Sequence, residues 1–399
     1  MAYLKKIPAK NKQGYKWLCV MEGPADPSTG ERRQVSRRAD TKGEASKRAQ
    51  DAVEALKFGL DAKKAKSAKF MTIALDWLET YALGEVKEST VRIRESQIAI
   101  LNKYMANLVV EKVTHAYYQK VIKKIFNENY TRSTIEGVHS TANQIMKYAI
   151  KNKLRLDNPC TGVVIPSKVQ TVEDIEKNKL EDKYLEIHEL EEFLKAAREH
   201  GKERDKEFFY LMAFSGLRPG EASVLKWSDL NKDTNEIRVT KTLYNPHNNM
   251  LDYRLTPPKT KGSVRTIDLD PSIIDMLLKF KVKQNEIHRE YKKHYSDFHN
   301  GDFIFCRSNG YPYTQKAFLD RMKTLLRMTS ITKPATPHIF RHTHISMLTE
   351  AGVDLPTIMK RVGHESPKTT LKIYTHITSK MKQSAGEKVK IKFGNVLDF

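Results

Sequence analysis

The sequence predicts a multidomain chain, mainly α with small β-sheets: an N-terminal β-sheet plus helix module, then a helical bundle, then a larger α+β domain. Three observations predict it. The 399 residues exceed one ordinary core. The pattern changes from β-prone, aromatic and basic before residue 62 to purely helical stripes after Phe70. A charged, aromatic-free run from Glu173 to Lys183 then reads as a connector to a domain in which strands and helices are mixed.

Residues 1–62 form the first unit. Tyr15 to Met21 is β-prone and sets aromatics beside a cation; Gly23-Pro24 and Ser28-Thr29-Gly30 supply turn chemistry, and Arg32 to Arg38 resumes as a second basic strand, with Tyr3 to Ile7 as a third. Thr41 opens a helix to about Leu60, on which Ala45, Ala49, Val53 and Leu56 recur at helical spacing. Lys63 to Lys69, small and charged with nothing to bury, reads as a linker. Four apolar stripes follow between Phe70 and Lys153, led by Phe70 and Trp77, Val91 and Leu101, Tyr118 and Ile125, and Val138 and Met146, so a compact helical bundle over 68–167 is expected. Ser133 with Glu136 reads as the capping box of the fourth helix, and Asn158-Pro159 ends it.

The last domain, 183–399, opens with an amphipathic helix at Ile187–His200 and a nearly all-apolar one at Phe208–Phe214. Glu236–Leu243 and Ser263–Leu269 alternate as strands, Ser272–Tyr295 is a long helix and Phe303–Phe305 a brief buried strand. Further helices are expected at Gln315–Met328, His338–Ala351, Leu355–Val362 and Pro367–Tyr374. In the tail, Val389, Ile391 and Phe393 alternate with lysines, a short β pattern suited to a neighbour's sheet edge.

Composition narrows the function classes. Lys and Arg number 70 against 48 Asp and Glu, and a formal charge of +22 with pI near 9.6 points to a polyanionic partner, nucleic acid ahead of a membrane surface. Residues 1–66 alone hold 11 Lys and 5 Arg against 8 acids, a net of +8. Candidate DNA contacts are Lys16, Arg32, Arg33, Arg37 and Arg38 in the first module, Arg92 and Arg94 in the bundle, and Lys261. Cys19, Cys160 and Cys306 are odd in number and widely spaced, which supports neither a disulfide framework nor a zinc ribbon. No apolar run approaches the roughly 20 residues of a membrane span, and no apolar stretch follows the first lysines, so a cytoplasmic protein working on DNA is expected.

Breaking a DNA strand by transesterification needs a nucleophile, charge stabilisation on the non-bridging phosphate oxygens and an acid for the departing 5′ oxygen. Arginine suits the second task, because its fork matches two oxygens and stays cationic. Arg218, in Gly216-Leu217-Arg218-Pro219-Gly220-Glu221, follows a buried helix at a turn whose Pro219 starts the next one. Arg341 follows His338 by three residues, so both can address one phosphate from one helical face. His364, after Gly363, is placed to donate to a phosphate oxygen or assist protonation. Tyr374, one of 17 tyrosines, lies ten residues further, and its phenol acts near neutral pH only with the help such neighbours give. His338 and His342, four apart with His344 nearby, could instead bind a metal, but no acidic or cysteine ligand is close in sequence and Arg341 would intrude. No metal and no cofactor are expected.

Four segments carry a resemblance: GLRPGEASVLKW, PPKTKGSVRTIDL, PHIFRHTHIS and RVGHESPKTTLKIYTH. With them, residues 184–380 resemble the catalytic domain of tyrosine recombinases of the phage integrase family. The resemblance implies an arm-type DNA-binding module at 1–62, a core-binding domain at 68–167 and a catalytic domain at 183–399. It implies that Tyr374 is the nucleophile, that a hairpin lysine, by position Lys259 with Lys261 as the alternative, protonates the leaving oxygen, that Glu221 orients Arg218, and that His342 gives support. It also implies double-stranded attachment sites as substrate, a homotetramer in the synaptic complex, possible DNA-bending accessory proteins or an excisionase, and action at the nucleoid of a bacterial host. The rival readings are a type IB topoisomerase, a non-catalytic DNA-binding regulator, and a metal nuclease.

Overall fold

The computed structural model describes residues 2–11, 13–25, 30–57, 65–168, 181–258, 261–368, 370–379 and 381. The chain divides into two compact units, Met1–Val169 and Gln170–Phe399. Lys259 and the tail pattern at 388–393 lie outside the described residues, as does most of the connector at 173–183.

The first unit has two separate cores. Strands β1 (Ala2–Pro8), β2 (Tyr15–Glu22) and β3 (Gln34–Ala39) pair antiparallel in the order β1-β2-β3. Helix α1 (Lys42–Lys57), capped by Thr41 Oγ1 accepting from Glu44 N at 3.2 Å, lays Ala45 and Ala49 on Cys19 and Ala39. The last strand begins at Gln34, so Arg32 and Arg33 precede it instead of opening it. The second core is the predicted bundle, α2 (Phe70–Ala82), α3 (Glu88–Met105), α4 (His115–Asn127) and α5 (Arg132–Lys151). Its apolar stripes are the ones read from periodicity, yet two local expectations fail. The cap of α5 is Thr131, whose Oγ1 accepts from Thr134 N, not Ser133, because the helix starts one residue before that serine. The stretch read as a linker with nothing to bury seats Ala65 at 0 % exposure, and Ala68 O accepts from Val110 N on the bundle.

In the second unit, α6 (Ile187–His200) and α7 (Asp205–Ser215) pack through a phenylalanine cluster, Phe193, Phe208 and Phe209, with Phe340 edge-on to Phe193. Each fully buried ring of this kind contributes on the order of 2 kcal/mol. A single turn, α8 (Pro219–Ala222), follows. The run read as one strand at 236–243 splits: β4 (Leu230–Asn231), β5 (Glu236–Val239) and β8 (Arg265–Asp268) form one sheet, while β6 (Thr242–Tyr244) and β7 (Arg254–Thr256) form a separate hairpin. The brief strand at 303–305 is instead an isolated bridge from Phe303 to Lys226, followed by bends at Ile304 and Phe305. Helices α9 (Pro271–His294), α10 (Gln315–Leu326), α11 (Ile339–Glu350) and α12 (Leu355–Val362) complete the layer. Residues 370–379 are helical, α13, so Tyr374 sits inside a helix and not at its end.

Candidate active site

The site is built where four chain segments meet in the second unit. Helix α7 stops at Gly216, whose φ of +63° is left-handed and whose missing Cβ would lie 2.7 Å from the His344 ring. Two residues on, Arg218 caps α8, and Glu221, 3 % exposed, folds back to accept from the Arg218 backbone N at 2.9 Å and from its guanidinium at 2.8 Å. A second guanidinium reaches the same carboxylate: Arg265 of β8, 8 % exposed, donates to Glu221 Oε2 at 3.0 Å. Burial alone would raise the Glu221 carboxyl, but Arg265, bonded to it, and then Arg218 hold it below its usual range.

Arg341, in the first turn of α11, has no exposed surface. Its Nη1 donates to Gly216 O at 2.8 Å, its Nη2 to Val362 O at 2.5 Å and its Nε to His364 Nε2 at 3.3 Å. Burial, and then the charge of Arg218, push its pKa down to about 8. A guanidinium answers such strain by recruiting an anion, not by losing its proton. Among the described residues, Arg218, Arg265 and Arg341 have one carboxylate, Glu221, between them.

The histidines are held neutral around these cations. His338 caps α11, its ring 4.9 Å from that of His342 and edge-on to it; burial first, then Arg341 for His338 and His338 for His342, lower both to about 4. His342 Nδ1 is buried without a hydrogen-bond partner among the described residues. His364, lowered to about 3 by burial and then by Arg341 and Arg218, accepts from Arg341 and shares its Nδ1 hydrogen with Thr370 Oγ1 at 2.6 Å. Thr370 and Tyr374 stand one turn apart on the same face of α13. The Tyr374 ring packs partly buried against the cluster of Ile345, Ile358 and Val362, and its hydroxyl has no hydrogen-bond partner among the described residues. The structure therefore gathers Arg218, Glu221, His338, Arg341, His342 and His364, with Tyr374 one helical turn from a residue bonded to His364. Lys259 lies outside the described residues, and Lys261 begins the turn Lys261–Ser263 leading into β8. No group of three or more metal-ligating residues converges among the described residues.

The candidate DNA contacts divide. Lys16 and Arg32 lie 3.6 Å from Asp40 and Glu22 respectively, and Arg37 and Arg38 are exposed on β3. Arg92 is exposed on α3. Arg94 turns inward, donating to Thr141 Oγ1 at 2.9 Å and Gln97 Oε1 at 3.1 Å, so its position between helical stripes disguised a helix-to-helix tie.

Residues 183–381 match the profile of the phage integrase family. The chain is 32 % identical over 367 residues to the prophage ps2 probable integrase of Lactococcus lactis, covering 90 % of this chain and 93 % of that one. It belongs to the phage integrase family. It is thus a tyrosine recombinase, and it is also 28 % identical to the integrase of Staphylococcus phage L54a over 82 % of this chain and 93 % of the relative. Among solved structures, the fold is shared with the Tn1549 transposon integrase in complex with transposon right end DNA, at a TM-score of 0.61 and 20 % identity, over 79 % of this chain and 99 % of that one. It is shared as well with a lambda integrase dimer bound to a COC′ core site, at 0.56 and 15 %, over 92 % and 94 %. No helix among the described residues is long and apolar enough to cross a membrane.

Three residues of this recombinase escaped the sequence reading: Arg265, Arg361 and the role of His344. His344, 5 % exposed, donates from Nδ1 to Ala213 O at 3.0 Å and accepts at Nε2 from Arg361 Nε at 3.0 Å. Burial, then Arg361, lower it to about 4. An imidazole near 6.5 when unfolded and near 4 when folded lends stability that is complete above the unfolded value and drains away as pH falls through that window. From His344 alone, stability at pH 5 should be lower than at pH 7 by on the order of 2 kcal/mol. Urea unfolding at both pH values, read from Trp227 with Trp17 and Trp77 replaced by Phe, isolates it when the parent is compared with His344→Gln; an equal pH dependence in the two would contradict the assignment.

Proposed function

We propose that this recombinase cuts and rejoins duplex attachment sites through a 3′-phosphotyrosyl intermediate, and so integrates and excises a mobile element. The Tyr374 oxygen attacks the scissile phosphorus, the bond from phosphorus to the 5′ oxygen breaks, and Lys259 or Lys261 supplies the proton the 5′ oxygen takes up. Arg218 and Arg341 bind the non-bridging oxygens as charge gathers there; donors so placed are each worth about 10²- to 10³-fold in rate. The free 5′ hydroxyl of a partner strand then attacks the phosphotyrosine, so bond energy is conserved and the exchange needs no nucleotide. Glu221 holds Arg218 in place, and a neutral imidazole beside these guanidiniums, His338 or His364, accepts the proton that the Tyr374 hydroxyl gives up. The carrying observation is that Arg218 and Arg265 share the Glu221 carboxylate while the buried Arg341 beside them is bonded to no carboxylate among the described residues, a charge excess that a phosphodiester offsets.

The same reading assigns residues 1–62 to arm-type sites and 68–167 to the core site, with Lys16, Arg32, Arg33, Arg37, Arg38 and Arg92 at DNA. It places four subunits on two duplexes at the nucleoid of a bacterial host, with DNA-bending proteins or an excisionase as accessory partners. Incubation with nicked half-site DNA in the presence of a chelator tests it. The expected product is a covalent adduct whose DNA 3′ phosphate maps to the Tyr374 peptide. Loss of the adduct on chelation would favour a metal nuclease, and relaxation of plasmids lacking any recombination site would favour a topoisomerase.

A further inference from the structure

Helix α12 ends in an unusual division of labour. Its last turn is closed by Gly363 N on Lys360 O at 3.2 Å and His364 N on Met359 O at 2.9 Å, with Gly363 left-handed at φ +68°. The next three carbonyls each accept from a different guanidinium: Arg361 O from Arg265 Nε at 2.8 Å, Val362 O from Arg341 Nη2 at 2.5 Å, and Gly363 O from Arg218 Nη2 at 3.0 Å. The negative end of a helix dipole is a natural seat for cations, and carbonyls at a helix end need donors. Two of those arginines belong to the reaction proposed above. Arg265 does not; it joins the carbonyl of Arg361 to the carboxylate that orients Arg218.

We infer that Arg265 is a positioning residue of the recombination reaction: it fixes the carboxyl end of α12 against Glu221, and so sets both phosphate-binding guanidiniums at once. Arg361 holds that end from the other side. Its Nε donates to His344, its Nη1 to Asp268 Oδ1 at 2.5 Å and its Nη2 to Asp268 O at 2.8 Å. The Arg265 fork spans a carboxylate and a main-chain oxygen in one plane, a geometry a lysine ammonium cannot reproduce. There is little slack, since a Cβ on Gly363 would approach Arg265 Cδ to 3.2 Å.

The inference rests on the recombinase reading, and the test separates the two. Single-turnover cleavage of nicked half-site DNA is measured for the parent chain and Arg265→Lys, on substrates whose scissile phosphate is either natural or a charge-free methylphosphonate. On natural DNA at saturation the variant should cleave about 100-fold more slowly, the scale of an active-site displacement near 1 Å. Its half-saturating DNA concentration should stay within about 2-fold of the parent. On methylphosphonate DNA the two chains should agree within about 2-fold, because the charge that positioned arginines stabilise has gone. An equal defect on both substrates, or none on natural DNA, would overturn the role. If the parent forms no adduct with natural DNA, it is the recombinase reading that fails. Should Arg265→Lys not fold, Asp268→Ala removes the anchor of Arg361 at an 81 % exposed side chain, and a smaller defect of the same charge dependence is expected. A defect indifferent to the phosphate charge would again count against the inference.

Discussion

Tyr374→Phe is expected to bind DNA as the parent does and to form no covalent adduct. The substitution removes one oxygen and keeps the ring against Ile345, Ile358 and Val362. That oxygen has no hydrogen-bond partner among the described residues, so stability should change by less than about 0.5 kcal/mol. A nucleophile deletion in a covalent mechanism typically costs roughly 10⁴-fold or more, because the other groups then have nothing to activate. Denaturing gels after incubation with nicked half-site DNA give the result directly. Adduct at an undiminished level would move the nucleophile to another of the 17 tyrosines.

Arg341→Lys should be nearly as severe, for two separable reasons. The guanidinium reaches two main-chain oxygens and an imidazole from a site with no exposed surface, and an ammonium, whose three hydrogens radiate from one nitrogen, cannot span acceptors placed for a planar fork. Cleavage should fall by about 10²- to 10³-fold. Stability should fall by about 3 kcal/mol as buried acceptors lose their donors. Arg218→Lys makes the useful contrast: its side chain is 32 % exposed, so rate should drop with a much smaller loss in urea resistance. Single-turnover cleavage beside urea unfolding separates the two quantities. An Arg341→Lys chain that cleaves within about 10-fold of the parent would show that this guanidinium does not bear on the transition state.

The helices were legible because their apolar residues recur at helical spacing, and Ile187–His200 and Leu355–Val362 match the expected bounds. Sheet detail was less so. The alternation through Glu236–Leu243 lapses at Lys241, where an apolar residue is due, and that lapse falls where the chain leaves one sheet for another. The cap of α5 misled because Thr131 and Ser133 both carry hydroxyls, and only the helix start decides between them. At the site, Arg218, His338, Arg341, His364 and Tyr374 were readable as residue types suited to a task. Arg265 was not, since its partners lie 44 and 96 residues away. One signal was there: on β8 it shares the inward face with Ile267, a place where a charge survives only if paired.

Seating three cations on successive carbonyls of one helix end makes their geometry collective. A rigid slide of α12 by about 1 Å would misalign Arg218 and Arg341 together, where independent side-chain rotations would disarm them singly. A subunit built this way keeps or loses its phosphate-binding arginines together.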